Sequence, residues 1–165
     1  DEGHEADRLM VSTDDVDCTG ETAFSKASFH KNWAELTISY ANPDNSEYPF
    51  TLEVTGQVNG LGLDTMTPVA GPFRCTGRQQ PGENTFKVNL PRQSPEGNGL
   101  VMRLIRKTDK SLEKEYDLSE FINSSGYDWT AMDLDDIRIG IDYAGALTSI
   151  SVIDWKTGFE TMIII

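Results

Sequence analysis

The chain has 165 residues, enough for one domain with a buried core, and its 38% hydrophobic content and mean hydropathy of −0.42 are typical of a globular protein. Its net charge of −13, from 27 acidic and 14 basic residues, argues against binding to nucleic acid or anionic lipid, because phosphate recognition relies on clustered lysine and arginine. No apolar run approaches the roughly 18 residues that a membrane-spanning helix needs. The first residues are polar and acidic, so we expect that any export signal was removed or never present.

Residues 1–20 are rich in aspartate and glutamate and are predicted to be an acidic lead-in that carries a first strand at Leu9 to Ser12. Residues 21–165 are predicted to form a single β-sandwich domain. Apolar and polar residues alternate along most of this range, which is the pattern of strands with one buried face. Strands are predicted at 27–31, 34–40, 50–55, 72–75, 86–90, 100–105, 112–118, 137–143, 149–152 and 159–165, and turns or loops at 42–46, 79–82 and 94–99.

Helix is scarce in the pattern. Ser119 is predicted to cap a two-turn helix that runs to Ser124, with Gly126 at its end. The segment 130–133 has the spacing of a capping box, with Asp133 in place of the usual glutamate. About seven to nine of these segments, at regular spacing and with turns between them, therefore predict an all-β fold, a single antiparallel β-sandwich with one or two short helical connectors.

The end of the chain is a strand of bare apolar residues. An exposed apolar edge recruits other chains, and strand addition is a recognised way for proteins to join. The alternative, which the sequence favours, is that this strand simply completes its own sandwich. If it does contact a partner subunit, the predicted contact residues are Phe159, Met162, Ile163, Ile164 and Ile165.

The two cysteines and the aspartates near residue 133 are two further candidate sites. Cys18 and Cys75 are the only cysteines, and whether they pair is left open, although alternation allows each to point inward. Asp133 and Asp135 begin a D-x-D spacing, but Arg138 stands where a calcium loop needs glycine. We therefore predict that these aspartates serve in capping and solvation and that the chain has no metal site.

No catalytic residue and no cofactor is predicted. The chain has no G-x-S-x-G nucleophile turn and no glycine-rich phosphate loop, and its two histidines are too few for a zinc site. Many carboxylates occur in any acidic chain and do not identify a hydrolase. Three tryptophans could form a platform on which sugars stack, but packing in the protein is the favoured interpretation. The one cluster of basic residues is interpreted as a solvated strand end. These residues are Trp33, Trp129 and Trp155, and Arg103, Arg106, Lys107 and Lys110.

Several segments carry a resemblance to a known family. They are Val16–Ala23, Asn59-Gly60 with Pro68–Phe73, Leu90–Gln93, Ser125–Ala131, Asp133–Ile137, Ile141–Tyr143 and Asp154-Trp155. With these segments the sequence resembles the FimB/Mfa2 family of fimbrial subunits of Bacteroidetes, from about residue 16 to the end.

The resemblance implies two transthyretin-like sandwiches in tandem, of which this chain looks like the second. It also implies a non-enzymatic role in anchoring or assembling a surface fimbria, with other fimbrial subunits as partners and a location at the cell outer membrane. Membrane attachment would then be indirect, through an N-terminal lipid-bearing cysteine that this chain lacks. The alternative function is a surface module that binds glycans or a host protein.

Overall fold

The computed structural model describes residues 3–41, 47–79, 83–95 and 99–164. The predicted loop at 42–46, residues 80–82 of the predicted turn and residues 96–98 of the predicted loop lie outside the described residues. The elements are β1 (Met10–Val11), β2 (His30–Lys31), β3 (Trp33–Tyr40), β4 (Phe50–Gly62), β5 (Thr67–Thr76), β6 (Arg78–Gln79), β7 (Thr85–Pro91), β8 (Val101–Arg106), β9 (Leu112–Asp117), α1 (Leu118–Ser124), β10 (Asp136–Ile141), β11 (Leu147–Ile153) and β12 (Glu160–Ile164).

Two sheets pack face to face. One has the strand order β12-β11-β10-β3-β7-β6 and the other β5-β4-β8-β9, while β1 and β2 form a separate small ribbon. The predicted all-β sandwich is confirmed, with nine strands of five or more residues in the described ranges. One pair differs from the antiparallel prediction, because β10 runs parallel to β3, with Ile137 beside Leu36 and Ile139 beside Ile38. Alternation shows which face of a strand is buried but not the direction of its neighbour.

A single hydrophobic core lies between the sheets. Along β3, Ala34, Leu36, Ile38 and Tyr40 are buried while the residues between them are half-buried on the outer face, as the alternation predicted. Burying one such aliphatic side chain contributes about 1.5–3 kcal/mol relative to leaving it exposed. The opposite sheet supplies Leu52, Val54, Phe73, Met102 and Leu104 to the same core.

The helix forms where it was predicted, but with a different cap. Asp117 is the N-cap residue, and its side chain accepts a hydrogen bond from the Glu120 N–H. The predicted cap, Ser119, instead accepts the Leu100 N–H through Oγ at 2.7 Å. Gly126 follows the helix at φ 76°, the left-handed conformation that glycine adopts without strain.

The second predicted helical connector is a turn. Thr130 Oγ1 donates to Asp128 Oδ1 at 2.6 Å, so Thr130 does not act as a helix cap. Asp133 accepts the Lys31 N–H at 2.9 Å rather than a bond within its own segment. The two residues of the predicted capping box therefore make separate contacts. Thr130 bonds within its own turn, and Asp133 bonds to the distant strand β2.

A long ribbon extends from the four-stranded sheet. β4 and β5 pair along their length, from Glu53 with Thr76 to Gly62 with Thr67, whereas the pairing of β4 with β8 ends at Thr55. Only the β4–β5 ribbon continues beyond that point. Asn59 lies over Gly71 in this ribbon, where a Cβ at residue 71 would stand 2.3 Å from the Asn59 Nδ2.

In the N-terminal region, the strand predicted at 27–31 is shorter than expected. Residues 27–29 are exposed and only His30–Lys31 of the predicted strand at 27–31 forms β2, which pairs with β1. Residues 12–29 between these strands have no helix or strand, and Phe24 is 92% exposed. The division into a lead-in at 1–20 and a sandwich at 21–165 stays a prediction.

Candidate interaction surface

The last described strand, β12, is an edge of the six-stranded sheet. It pairs only with β11, with Ile163 beside Ile150 and Met162 beside Ser151. The strand therefore joins its own sheet, which is the alternative that the sequence favoured. Its other side has no neighbouring strand in the described part of the chain, so β12 is also available for a contact.

The turn before β12 fixes its register. Asp154 Oδ1 accepts the N–H groups of Lys156 at 3.0 Å and Thr157 at 2.7 Å, and the Gly158 N–H donates to the Asp154 carbonyl at 2.7 Å. Gly158 has φ 70°, which a residue with a Cβ rarely adopts. The sequence thus closes this hairpin with an aspartate at its start and a glycine at its end.

The hydrogen bonding of the hairpin shows which backbone groups of β12 face outward. The Asp154 N–H donates to the Phe159 carbonyl at 2.9 Å, so the Phe159 backbone points toward β11. Because backbone groups alternate in direction along an antiparallel strand, Thr161 and Ile163 also point toward β11. The backbone groups of Glu160, Met162 and Ile164 consequently point away from the sheet.

The apolar side chains of this edge are exposed on both faces of the sheet. Met162 and Ile164 pair with serines on the outer face and are 57% and 81% exposed. Ile163 pairs with the buried Ile150 on the core-facing side and is still 41% exposed, so the core ends before β12. Phe159, in the preceding turn, is 71% exposed. Ile165 lies outside the described residues.

We call the surface formed by Phe159 and Glu160–Ile164 the β12 edge. An ion pair from Arg138 Nη1 to Glu160 Oε2, 2.9 Å long, joins the first residue of β12 to β10. The edge thus combines free backbone groups with exposed apolar side chains, the two features that allow a strand from another protein to add to a sheet. Its role as a subunit contact stays a prediction.

The acidic group near residue 133 anchors the β1–β2 ribbon to the sandwich. Asp133 accepts from Lys156 Nζ at 2.6 Å and from the Lys31 N–H at 2.9 Å, and its Oδ1 lies 3.4 Å from His30 Nδ1. Burial disfavours the charged form of Asp133, but the hydrogen bonds from Lys156 and Lys31, with the imidazole of His30 nearby, outweigh it and lower its pKa to about 2. Asp135 is different, because burial raises its pKa. These aspartates hold the fold together through distant backbone and lysine groups.

A buried arginine that the sequence analysis did not single out organises the same end of the molecule. Arg92 donates from Nε to Asn32 Oδ1 at 2.8 Å and from Nη1 to the carbonyls of Trp129 and Ala131, both at 2.7 Å. Desolvation lowers its pKa. It lies in the segment 90–93 that carries the family resemblance, but nothing in the local pattern indicates that its partners are 37 or more residues away.

The tryptophans are used in packing. Trp129 is buried and meets Tyr127 edge to face, with ring centroids 4.6 Å apart. Trp33 and Trp155 are partly buried, and each has a lysine over its ring, Lys31 at 5.0 Å and Lys156 at 5.7 Å from the centroids. No shared stacking platform results, which agrees with the favoured interpretation.

The basic cluster and the cysteines also have local explanations. Arg103, Arg106 and Lys107 pair with glutamates, so the basic cluster is a solvated, ion-paired strand end, as the sequence indicated.

Cys18 is exposed and Cys75 is buried, and neither forms a disulfide. The inward prediction is right for Cys75 and wrong for Cys18, which lies in the strand-free segment 12–29.

Comparison with known proteins shows which solved structures have a similar fold. No family model and no curated protein matches the sequence. Among solved structures, the fimbrial anchor protein Mfa2 of Porphyromonas gingivalis matches with a TM-score of 0.55 and 16% identity, over 78% of this chain and 49% of that one. The chain has the fold of one half of an Mfa2-type protein.

Two proteins of Bacteroides thetaiotaomicron share the Mfa2-type fold. One, provisionally named a polysaccharide-binding protein, matches at 12% identity and a TM-score of 0.55 over 83% of this chain and 52% of that one. The other, provisionally named an adhesin, matches at 13% identity and a TM-score of 0.50 over 84% and 54% of the two chains. The chain spans about half the length of each of these structures. The resemblance to the FimB/Mfa2 family is therefore confirmed at the level of the fold. In the described ranges, no helix is long and apolar enough to cross a membrane.

Proposed function

We propose that this protein is a non-enzymatic subunit of a fimbria or related adhesive structure on the outer surface of a bacterial cell. Support comes from the Mfa2-type fold, which the chain shares with a fimbrial anchor protein and with a protein provisionally named an adhesin. The proposal places the protein at the outer membrane after export and gives it other fimbrial subunits as partners. It involves no catalytic step, cofactor or nucleic acid.

The observation that carries the proposal is the β12 edge. Outward-facing backbone groups and exposed apolar side chains, 57% for Met162 and 81% for Ile164, lie together on one open strand. A strand added from another protein would hydrogen-bond to these backbone groups and cover these apolar side chains. Natural proteins usually protect such edges with charge or proline, whereas the described end of β12 has neither after Glu160.

The direction of the backbone groups gives a selective test. Met162→Pro removes an N–H that points away from β11, a position where an edge strand tolerates proline. Ile163→Pro removes an N–H that points toward β11 and is expected to unfold the hairpin. We therefore expect Met162→Pro to keep the wild-type melting temperature and to block strand addition.

The experiment deletes the gene in its native organism, complements it with variants, and measures the number and length of fimbriae by electron microscopy. Wild type is expected to restore normal fimbriae, and Met162→Pro and Met162→Lys to fail at equal surface abundance. Leu112→Lys is the matched control, because Leu112 is a 54% exposed apolar residue on the edge strand of the other sheet. Full complementation by both Met162 variants would overturn the β12 contact, and unchanged fimbriae in the deletion strain would overturn the fimbrial role.

The alternative from the sequence was a module that binds glycans or a host protein. The tryptophans that suggested this function do not support it. Trp129 is buried, and lysine ammonium groups lie over the rings of Trp33 and Trp155. A glycan site would have to lie elsewhere on the molecule.

A further inference from the structure

A cleft lies between the N-terminal segment and the base of the β4–β5 ribbon. Its larger part has a volume of about 420 Å³ and is lined by His4, Glu5, Ala6, Asp7, Asn59, Phe73 and Pro91. A smaller part of about 140 Å³ continues it toward Leu61 and shares Ala6, Asp7, Asn59 and Pro91 with the larger part. The larger part alone falls within the range of about 300–1,000 Å³ in which proteins bind small molecules.

The N-terminal wall of the cleft is held by both sheets. The Gly3 N–H donates to the Arg74 carbonyl on β5 at 2.8 Å, and the Ala6 N–H donates to the Asn89 carbonyl on β7 at 2.9 Å. Between them, Glu5 accepts the Asn89 N–H at 2.9 Å and pairs with Arg78 at 3.1 Å. These four contacts hold the N-terminal wall of the cleft against β5, β6 and β7.

Three polar side chains of the cleft have no partner among the described residues. They are the imidazole of His4, the carboxylate of Asp7 and the amide of Asn59, and all three are exposed. The amide of Asn59 lies over Gly71, where a Cβ at residue 71 would stand 2.3 Å from its Nδ2. The floor below is apolar and formed by the buried Phe73 and by Pro91.

The charges of the cleft select among ligand classes. An anion is disfavoured by Asp7 and by the net charge of −13 of the whole chain. A cation would find only one unengaged carboxylate, because Glu5 is already bound to Arg78. A neutral polyhydroxylated ring fits the remaining groups, since hydroxyls can donate to the Asp7 carboxylate and accept from the Asn59 amide while a C–H face covers the apolar floor.

We propose that this cleft binds a neutral saccharide through Asp7 and Asn59, with His4 as a further hydrogen-bonding group. The site is separate from the β12 edge and does not depend on the fimbrial proposal. The N-terminal segment, predicted from its sequence to be an acidic lead-in with a first strand at Leu9 to Ser12, would then supply one wall of a binding site.

The test uses the full chain on an array of neutral glucans, mannans, galactans and N-acetylglucosamine oligomers, followed by titration calorimetry with the best binder. Asp7→Asn and Gly71→Ala are each expected to weaken binding by about tenfold or more, because one removes a charged hydrogen-bond acceptor and the other displaces the Asn59 amide. Asp15→Asn is the matched control, since it removes the same charge from an exposed residue in the segment 12–29, and should leave affinity unchanged.

Chemical-shift mapping of the complex locates the ligand independently of the variants. Shifts centred on Asp7, Asn59 and Phe73 support the proposal. Three results would overturn it: no binding to any neutral saccharide at millimolar concentration, equal affinity in Asp7→Asn and Asp15→Asn, or shifts elsewhere on the molecule. None of them bears on the β12 edge, whose variants are tested on cells.

Discussion

Lys31 Nζ lies 2.8 Å from Asp136 Oδ1, and this ion pair joins the segment entering β3 to the first residue of β10. The same carboxylate oxygen accepts the Glu35 N–H at 2.7 Å, and Lys31 also donates to the carbonyls of Trp33 and Leu134, both at 2.8 Å. The contact therefore fixes the start of the parallel β3–β10 pair.

Replacing this lysine should destabilise the sandwich strongly. Lys31→Met keeps much of the apolar stem but leaves the partly buried Asp136 and Trp33 carbonyl and the buried Leu134 carbonyl without their donor. Leaving such an acceptor unsatisfied costs about 1–3 kcal/mol. Urea denaturation of the purified protein measures the loss. Lys87→Met is the control, because the Lys87–Glu35 pair is partly exposed and is expected to contribute about 0–1 kcal/mol. Equal effects of the two variants would contradict the prediction.

Asp133 should make stability depend on acid pH. Its pKa is lowered from 3.8 to about 2 in the folded protein, so the folded state favours the carboxylate more than the unfolded chain does. This contribution is present in full above the unfolded pKa of 3.8 and is lost as the pH falls toward about 2. We expect Asp133→Asn to be less stable at neutral pH and to show a smaller loss between these pH values than wild type. Denaturant midpoints of both proteins from pH 2 to 6 check this expectation, with Asp15→Asn as the control.

Two buried tyrosines, Tyr48 and Tyr127, should differ in how removal of the hydroxyl changes stability. Tyr48 is fully buried, its ring stacks on Tyr40 at 4.0 Å, and its hydroxyl has no hydrogen-bond partner among the described residues. The Tyr127 hydroxyl, in contrast, donates to the Asp135 carbonyl at 2.7 Å.

Tyr48→Phe is therefore expected to leave stability unchanged or to raise it, because it removes a buried polar group that gains nothing from folding. Tyr127→Phe should cost about 0.5–1.5 kcal/mol, the usual net worth of one hydrogen bond. Thermal and urea unfolding of the two variants compare these effects directly. A loss for Tyr48→Phe as large as that for Tyr127→Phe would show that the Tyr48 hydroxyl has a partner.

Much of the fold was predictable because its signals are local. The alternation from Ala34 to Tyr40 identified β3 and its buried face, and the gap between the strands predicted at 149–152 and 159–165 marked the turn that produces the β12 hairpin. The cap of α1 was misplaced by two residues, from Asp117 to Ser119, because both residue types cap helices equally well in sequence. Ser119 was instead recruited by the Leu100 N–H, a partner 19 residues away.

The sequence indicated one of the two candidate sites, the β12 edge, but not the other, the cleft. The apolar character of residues 159–165 was visible in the sequence, and it led to Phe159, Met162, Ile163 and Ile164 as candidate contacts. That these side chains stay exposed follows from the position of β12 at the sheet edge, where the core does not reach. The cleft beside Asp7 and Asn59 had no signal at all, because its two walls are separated by about fifty residues of chain.

The sequence by itself determined the all-β class, the inward and outward faces of the main strands and the likeness to FimB/Mfa2 proteins. The class and the faces depend on side-chain period and turn chemistry, which act between residues close in the chain, whereas the likeness rests on the motif segments quoted from Val16 to Trp155. Only the tertiary structure decided that β10 runs beside β3 in parallel, that Arg92 and Lys31 are buried, and that the N-terminal segment closes a cleft. Those features arise when distant segments meet and their buried polar groups must find partners, and a one-dimensional pattern does not record which partners meet.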